Sequence, residues 1–225
     1  MERLLRPDIF PADVTAFFTG RDPGADLSEI GRMLRLDAGH IYLPVQKHTD
    51  RVVIIDAETD PRIADAVVTS RKGLLIGIQV ADCVPVLLFD RRRQVSAAVH
   101  AGWRGTAEAI MKKTLRAMSD RFGSEAEDIV AAVGPSIKGC CYEVGPEVVR
   151  AVERTTGTGD YVRQKGGKYV IDLAAANRYQ ALSAGIKEEN IWMSGDCTFC
   201  NPDRYCSYRF AKGTTCRQAG FIGML

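Results

Sequence analysis

Apolar segments follow one another in the middle of the chain with only short turns between them. Residues 74–80 and Val84–Asp90 are rich in β-branched and aliphatic side chains without sustained polar alternation, which is typical of strands covered on both faces. Ala66–Thr69 precedes them with the same character, and residues 94–100 alternate well enough to form a further strand. The fold must therefore cover a central sheet on both faces, and a chain of 225 residues with 46% hydrophobic content can bury such a core.

Helical and extended segments alternate after this centre. Apolar residues at helical spacing from Ala107 to Met118 predict a helix with Thr106 as its N-cap and Gly123 as its end. The other predicted helices are Leu27–Leu34, 146–155 and Leu173–Ser183, the last capped by Asp172 and ended by Gly185. The other predicted strands are 14–20, 39–45, 51–56, Ile129–Val133, Lys168–Ile171 and 191–194.

Strands joined by short turns stand beside strand-helix units in this order. We therefore predict an α+β fold in which mixed β-sheets are flanked by helices, rather than a uniform parallel barrel. The sequence contains no internal repeat, low-complexity tract or linker long enough to separate two folding units. We expect one domain over residues 1–225.

Charge and hydropathy exclude several classes of partner. The 30 basic and 28 acidic residues are spread along the chain and give a net charge of +2, so we expect no nucleic-acid partner. No segment reaches the ~20 apolar residues of a membrane span, and the first residues lack the apolar core of a signal peptide. We expect a cytoplasmic protein whose partners are small molecules.

The cysteines allow several interpretations. Seven is an odd number, and without an export signal it argues against a secreted disulfide framework, which leaves free thiols, metal ligands or catalysis. Four lie near the carboxyl end: Cys197, Cys200, Cys206 and Cys216. These four can form a second metal site, although they contain one close pair rather than the two of a zinc ribbon. Because neighbours on a strand point to opposite sides, we expect packing for at least one of Cys140 and Cys141 rather than joint binding of one ion.

Two of the three histidines stand at informative positions. His100 closes a predicted strand, His48 follows another apolar segment, and Cys83 lies between two buried strands. Side chains at strand ends converge from distant parts of a chain at the rim of a sheet. Two imidazoles and one thiolate suit zinc with a fourth position open, as in catalytic zinc sites. Alternatively, these residues have ordinary structural roles, as we expect for His40.

The motifs around these residues resemble one known family. They are Gln46-x-His48, Ala81-Asp82-Cys83, His100-Ala-Gly-Trp-Arg-Gly105, Gly134-Pro-Ser-Ile-Lys-Gly-Cys-Cys-Tyr-Glu-Val-Gly145, and Cys197-Thr198 with Ser207-Tyr208-Arg209. From about residue 44 onward, the chain resembles the YfiH-type proteins, named laccase-domain or polyphenol oxidoreductases and later described as purine nucleoside phosphorylases. The resemblance implies a YfiH-like and cytotoxic-necrotizing-factor-like fold. It also implies that His48, Cys83 and His100 bind a zinc-type metal.

The resemblance also implies an activity. This activity is phosphorolysis of adenosine, inosine and methylthioadenosine to a free base and a sugar 1-phosphate, together with deamination of adenosine. Cys83 and His100 are then catalytic candidates, and a nearby carboxylate has to move protons. Asp82 and Glu143 are both candidates for that role by motif position.

The turn Gly102-Trp103-Arg104-Gly105 also has two interpretations. Backbone amides at a helix start and one guanidinium suit an anion, so Arg104 is our candidate for binding phosphate. Alternatively, the glycines only permit a tight turn and Arg104 is solvated. Trp103 either stacks on a purine or packs beneath the turn.

Two other function classes remain open. A single His-His-Cys copper site suits a redox protein of the polyphenol oxidase type. Three histidines are too few for a multicopper oxidase, which needs a mononuclear copper and a histidine-rich cluster. The second alternative is a metal-free cysteine hydrolase in which Cys83 is the nucleophile and His100 its base.

Overall fold

The computed structural model describes residues 4–56 and 59–225. Its strands are β1 Leu4–Leu5, β2 Thr15–Thr19, β3 Ile41–Tyr42, β4 Val52–Ile54, β5 Ala66–Thr69, β6 Leu75–Val80, β7 Val84–Asp90, β8 Val95–Ala101, β9 Ile129–Val133, β10 Glu143–Val144, β11 Val162–Lys165, β12 Lys168–Ile171, β13 Ile191–Met193 and β14 Gln218–Gly223. Its α-helices are α1 Leu27–Leu34, α2 Trp103–Ala107, α3 Ile110–Phe122, α4 Pro146–Thr156 and α5 Leu173–Ser183. Short 3₁₀ turns lie at Ala38–His40, Ala126–Asp128 and Glu188–Asn190.

The strands form three sheets. A six-stranded sheet has the order β13-β9-β7-β8-β5-β4, a five-stranded sheet the order β1-β2-β14-β6-β3, and a small sheet the order β10-β12-β11. β13 is parallel to β9, β4 to β5 and β3 to β6, whereas the other neighbours are antiparallel. These mixed sheets with flanking helices confirm the predicted α+β class. Within the described residues, no helix combines the length and apolarity needed to cross a bilayer.

The two large sheets pack face to face, and helices cover their outer faces. Side chains of β7 alternate between two cores, as a period of two residues requires. Leu87 and Phe89 lie between the sheets. Val86 and Leu88 pack against α3 and α5 on the other face. Helix α1 covers the five-stranded sheet through the buried Ile30. The predicted covering of the central strands on both faces is confirmed.

The predicted helix from Thr106 to Gly123 is wrong at its start. α2 already begins at Trp103, and Ala109, with φ of 56°, separates it from α3. Thr106 is therefore inside α2 rather than an N-cap, and its buried hydroxyl accepts a hydrogen bond of 2.9 Å from the Asn177 side chain of α5. The Thr106 hydroxyl, which led to the N-cap prediction, therefore forms a tertiary contact instead. Gly123 ends α3 as predicted.

Four strands lie where the sequence predicted none: β1, β10, β11 and β14. β14 pairs with both β2 and β6 and completes the centre of the five-stranded sheet. Its two glycines lower its intrinsic strand propensity. Glycine is needed where a neighbouring backbone comes too close for a side chain. At Gly223, for example, a Cβ would lie 2.4 Å from the Leu74 carbonyl oxygen. The predicted strands at 39–45 and 51–56 shorten to β3 and β4.

Candidate functional site

Two adjoining strand ends and one loop bring His48, Cys83 and His100 together. β7 and β8 pair antiparallel with Val84 opposite Ala101, so Cys83 lies beside the end of β8 that carries His100. His48 reaches the same place from the loop after β3. One ligand atom from each of the three residues lies within 4.8 Å of the others. The two imidazole rings are nearly perpendicular, with centroids 4.9 Å apart.

A buried carboxylate, Asp65, connects the two histidines. Its Oδ1 lies 2.7 Å from Nδ1 of His100 and accepts a hydrogen bond of 3.1 Å from the His48 amide. Its Oδ2 accepts hydrogen bonds from the Thr49 amide at 2.6 Å and the Thr49 hydroxyl at 2.7 Å. Because Asp65 occupies Nδ1 of His100, Nε2 is the ring nitrogen left for a ligand.

The hydrogen bonds around Asp65 control its ionisation. Burial alone would raise the pKa of Asp65, but hydrogen bonds from His100 and Thr49 lower it to about 2. The carboxylate is therefore charged at neutral pH. Asp65 was not predicted as a site residue. Its position directly before the buried strand β5 was a usable signal, since a buried carboxylate needs partners.

The three clustered side chains also control one another's protonation. Burial would raise the pKa of Cys83, but the charge and hydrogen bond of His100, with help from His48, lower it to about 6. Burial would lower the pKa of His100, but Cys83 and Asp65 raise it to about 9. Cys83 is accordingly a thiolate at neutral pH, and the thiolate is the form that binds metals or attacks electrophiles.

The backbone at this site adopts conformations that side chains rarely favour. His48 has φ of 56° and Asp82 has φ of 79°. Positive φ at residues other than glycine is uncommon and persists only where surrounding contacts hold it. Gly102 serves a close approach: a Cβ there would lie 3.0 Å from Sγ of Cys83 and 3.4 Å from Cδ2 of His48. A side chain at residue 102 would therefore push two of the candidate ligands apart.

A cavity of about 660 Å³ opens beside the three residues. The residues that line it are Pro44, Val45, Gln46, His48, Gln79, Val80, Ala81, Asp82, Cys83, His100, Ile137, Tyr142, Leu173, Tyr208, Arg209 and Arg217. Apolar and aromatic side chains share this wall with a few charged groups, as in many small-molecule sites. Neither Arg209 nor Arg217 was predicted from the sequence to be a binding residue.

The two candidate carboxylates have different surroundings. Asp82 lines the cavity, with Oδ1 accepting a hydrogen bond of 2.6 Å from the Thr198 hydroxyl and Oδ2 one of 2.7 Å from the Arg209 amide. Glu143 is exposed, pairs with Lys168 at 2.7 Å and is absent from the cavity wall. The structure thus brings Asp82, but not Glu143, to the cavity.

Arg104 and Trp103 stack on each other at the start of α2. The Arg104 guanidinium carbon lies 4.4 Å from the centre of the Trp103 ring. Neither residue lines the cavity. The positive charge of Arg104 nevertheless acts on Tyr142 in the cavity wall, where it partly opposes the rise in the pKa of Tyr142 that burial causes.

The cysteines near the carboxyl end divide differently from the predicted set. Cys206 and Cys216 form a disulfide with Cα atoms 5.6 Å apart, so the prediction of thiols, ligands or catalysis was wrong for this pair. Cys197 and Cys200 lie instead beside Cys140 and Cys141. Cys140 and Cys141 lie on a turn and not on a strand, so the strand geometry behind the packing expectation does not apply to them.

Comparison with known proteins agrees with the motifs. A model of the family described as multi-copper polyphenol oxidoreductase laccase matches residues 25–225. The chain belongs to this family. It is similar to the YfiH protein of Bacillus licheniformis, whose crystal structure superposes with a TM-score of 0.88 at 28% identity over 94% of this chain and 93% of that one. The predicted YfiH-type resemblance is therefore confirmed.

Two relatives carry names that describe activities. A protein of Aquifex aeolicus named purine nucleoside phosphorylase is 40% identical over 173 residues, which cover 76% of this chain and 77% of that protein. A protein named adenosine deaminase, from an unknown prokaryotic organism, is 38% identical over 193 residues, covering 80% of this chain and 73% of its own length.

Proposed function

We propose that this chain is a metal-dependent purine nucleoside phosphorylase for adenosine, inosine and methylthioadenosine that also deaminates adenosine. The main support for this proposal is that His48, Cys83 and His100 lie together on the wall of a cavity of about 660 Å³. Cavities of this size suit compact organic ligands such as nucleosides. The names of the two relatives support the same pair of activities. We place the reaction in the cytoplasm.

The donor set of the site fits a zinc-type ion. One thiolate and two imidazoles leave a fourth position open, and Asp65 orients His100 as carboxylates do behind zinc-binding histidines. When bound, the ion would supply a Lewis-acid centre at the cavity wall. Copper is the alternative, but no methionine is among the described lining residues to serve as its weak axial ligand.

Asp82 is the residue that we propose as the proton carrier. Phosphorolysis and deamination both require a proton on a leaving group, the purine in the first case and ammonia in the second. The hydrogen bonds from Thr198 and from the Arg209 amide hold the Asp82 carboxylate in one orientation at the cavity wall. Phosphate needs positive charge, which we assign to Arg209 on the cavity wall. We assign it also to Arg104, whose side chain would have to turn from Trp103 toward the cavity.

Incubation of the zinc-loaded protein with adenosine and phosphate, followed by chromatography, tests this function. Adenine reports phosphorolysis, inosine reports deamination, and hypoxanthine reports both in succession. We expect Cys83→Ala to abolish all three products and to release the zinc bound at this site. The control is His40→Ala, because His40 is exposed in the turn Ala38–His40 and should affect neither. Unchanged zinc content in Cys83→Ala would contradict the site.

A metal-free cysteine hydrolase is the second candidate function. The lowered pKa of Cys83, about 6, beside His100 favours it, because this pair resembles a nucleophile and its base. Alkylation by iodoacetamide separates the two functions. Fast alkylation of Cys83 in the purified protein, unchanged by a chelator, indicates the hydrolase, whereas alkylation that starts only after chelation indicates a thiolate covered by metal.

A further inference from the structure

Four cysteines meet at a second place in the fold. β9 and β13 are parallel neighbours, so the segments that follow them leave the sheet at the same end. A bridge between Ser136 and Cys197 continues this pairing. The first segment carries Cys140 and Cys141, and the second carries Cys197 and Cys200. Topology alone thus places two cysteine pairs together that are more than fifty residues apart in the chain.

The sulfur positions match a tetrahedral ion site. All four sulfurs lie within 4.8 Å of one another. Sγ of Cys200 is 3.8 Å from Sγ of Cys140 and 3.3 Å from Sγ of Cys141. Zinc with Zn–S distances of about 2.3 Å places its tetrahedral sulfurs about 3.8 Å apart. Small side-chain rotations would bring the four sulfurs to these positions.

Two lysines lie beside the four sulfurs. The Lys138 amide donates a hydrogen bond of 3.4 Å to Sγ of Cys197, and Lys165 donates one of 3.4 Å to the Cys140 carbonyl. Both lysines add positive charge beside a group of four thiolates, which would carry a net negative charge even with a divalent ion bound. Cys140 and Cys200 are exposed, so an ion can reach the cluster from solvent.

We propose that Cys140, Cys141, Cys197 and Cys200 together bind one structural zinc ion. Four thiolates complete the coordination, as in closed structural sites, and leave no position for a substrate. The ion would fasten the two segments that form one wall of the cavity. Ile137 and Tyr142 flank the first cysteine pair and line the cavity, and Thr198 of the second segment donates to Asp82.

Zinc content measured on the full chain tests this site apart from the first one. Protein purified with reductant and loaded with zinc should hold two ions. Cys200→Ala should hold one, and the exposed neighbour Asp203→Ala, in the same loop, should keep two. The double variant His48→Ala/Cys83→Ala, which removes the other site, should still hold one. Two ions in Cys200→Ala, or none in the double variant, would overturn the proposal.

Cobalt gives a second measurement that leaves all four cysteines of this cluster in place. Cobalt bound to the His48→Ala/Cys83→Ala protein should produce intense sulfur-to-cobalt absorption and visible bands typical of tetrahedral coordination. A mass spectrum of the unreduced protein identifies the competing outcome. A disulfide between Cys141 and Cys200 in the purified protein, with no zinc bound, would contradict the proposal.

Discussion

The Asp65 carboxylate links the two candidate histidine ligands at the scale of single residues. It accepts hydrogen bonds from the His100 ring and from the backbone of the loop that carries His48. Its charge also helps raise the pKa of His100 to about 9 in the absence of metal, after the larger effect of Cys83. Asp65 is therefore a positioning residue that acts through its neighbours.

Replacing Asp65 by Asn should weaken zinc binding at the first site. Loss of the charged acceptor frees the His100 ring and the loop of His48, and changes at such outer partners typically cost 10- to 100-fold in metal affinity. Competition with a coloured chelator measures the affinity. Asp56→Asn is the matched control, since Asp56 pairs with Arg121 on the surface at 2.9 Å. An affinity equal to that of the unaltered protein would rule out the positioning role.

Asp65 should also contribute to acid stability. Its pKa is lowered in the folded protein to about 2, whereas an unfolded chain holds it near roughly 4. Its contribution is therefore complete above roughly pH 4 and is lost as the pH falls through about 2. Urea unfolding of the unaltered and Asp65→Asn proteins should show a stability difference that shrinks as the pH is lowered over this range. A difference independent of pH would contradict the assignment.

Gly102→Ala should disturb the site without any change of charge. The added methyl group would lie 3.0 Å from Sγ of Cys83, and overpacking of this kind costs about 1–3 kcal/mol. We expect weaker zinc binding, measured by chelator competition. Gly39→Ala is the matched control, because a Cβ at residue 39 meets nothing within 4 Å. Equal zinc affinity in the two variants would show that Gly102 is not needed for the close approach.

At the scale of elements, the neighbouring ends of β7 and β8 place Cys83 beside His100. The apolar character of these strands predicted them, and α5, the end of α3 and the strands Ile129–Val133 and Lys168–Ile171 also lie where local signals placed them. Local signals could not predict contacts between distant segments. β14 contains two glycines and forms a strand because it pairs with β2 and β6. The Thr106 hydroxyl accepts a hydrogen bond from Asn177 instead of capping a helix.

The candidate site was predictable to a similar extent. Two of the three histidines and one cysteine at strand ends pointed to His48, Cys83 and His100. Asp65 and Arg209, in contrast, depend on contacts between distant segments. The same limit applies to the cysteines near the carboxyl end. Their spacing suggested one group of four, but the parallel pairing of β9 and β13 joins Cys197 and Cys200 to a different pair.

We assign two arginines to phosphate binding. Arg209 lies in the segment between β13 and β14, and Arg104 lies at the start of α2. Truncation of Arg209 to Ala removes its guanidinium but keeps the amide that donates to Asp82. We expect Arg209→Ala and Arg104→Ala each to raise the KM for phosphate roughly tenfold, since hydrogen bonds to charged groups contribute about 1.5–3 kcal/mol. The KM for nucleoside should change less. Arg116→Ala, on the exposed face of α3, is the control. Equal changes in both KM values would contradict the assignment.

At the scale of the whole molecule, two sheets packed face to face leave both cysteine-containing clusters at strand ends. The core between the sheets draws residues from both of them, for example Ile78 and Leu87, and the helices cover the outer faces. Since the sheets share this core, we propose that residues 1–225 act as one domain. The rigid sheets can hold ligand atoms in fixed positions while the connecting segments form the cavity.

X-ray absorption at the zinc edge of the zinc-loaded Cys200→Ala protein tests the first metal site most directly, because that variant should lack the second one. We expect a coordination shell with one sulfur at about 2.3 Å and two imidazole nitrogens at about 2.0–2.1 Å, together with one lighter ligand. A shell without sulfur, or a protein that retains no zinc, would contradict the claim that His48, Cys83 and His100 share one ion.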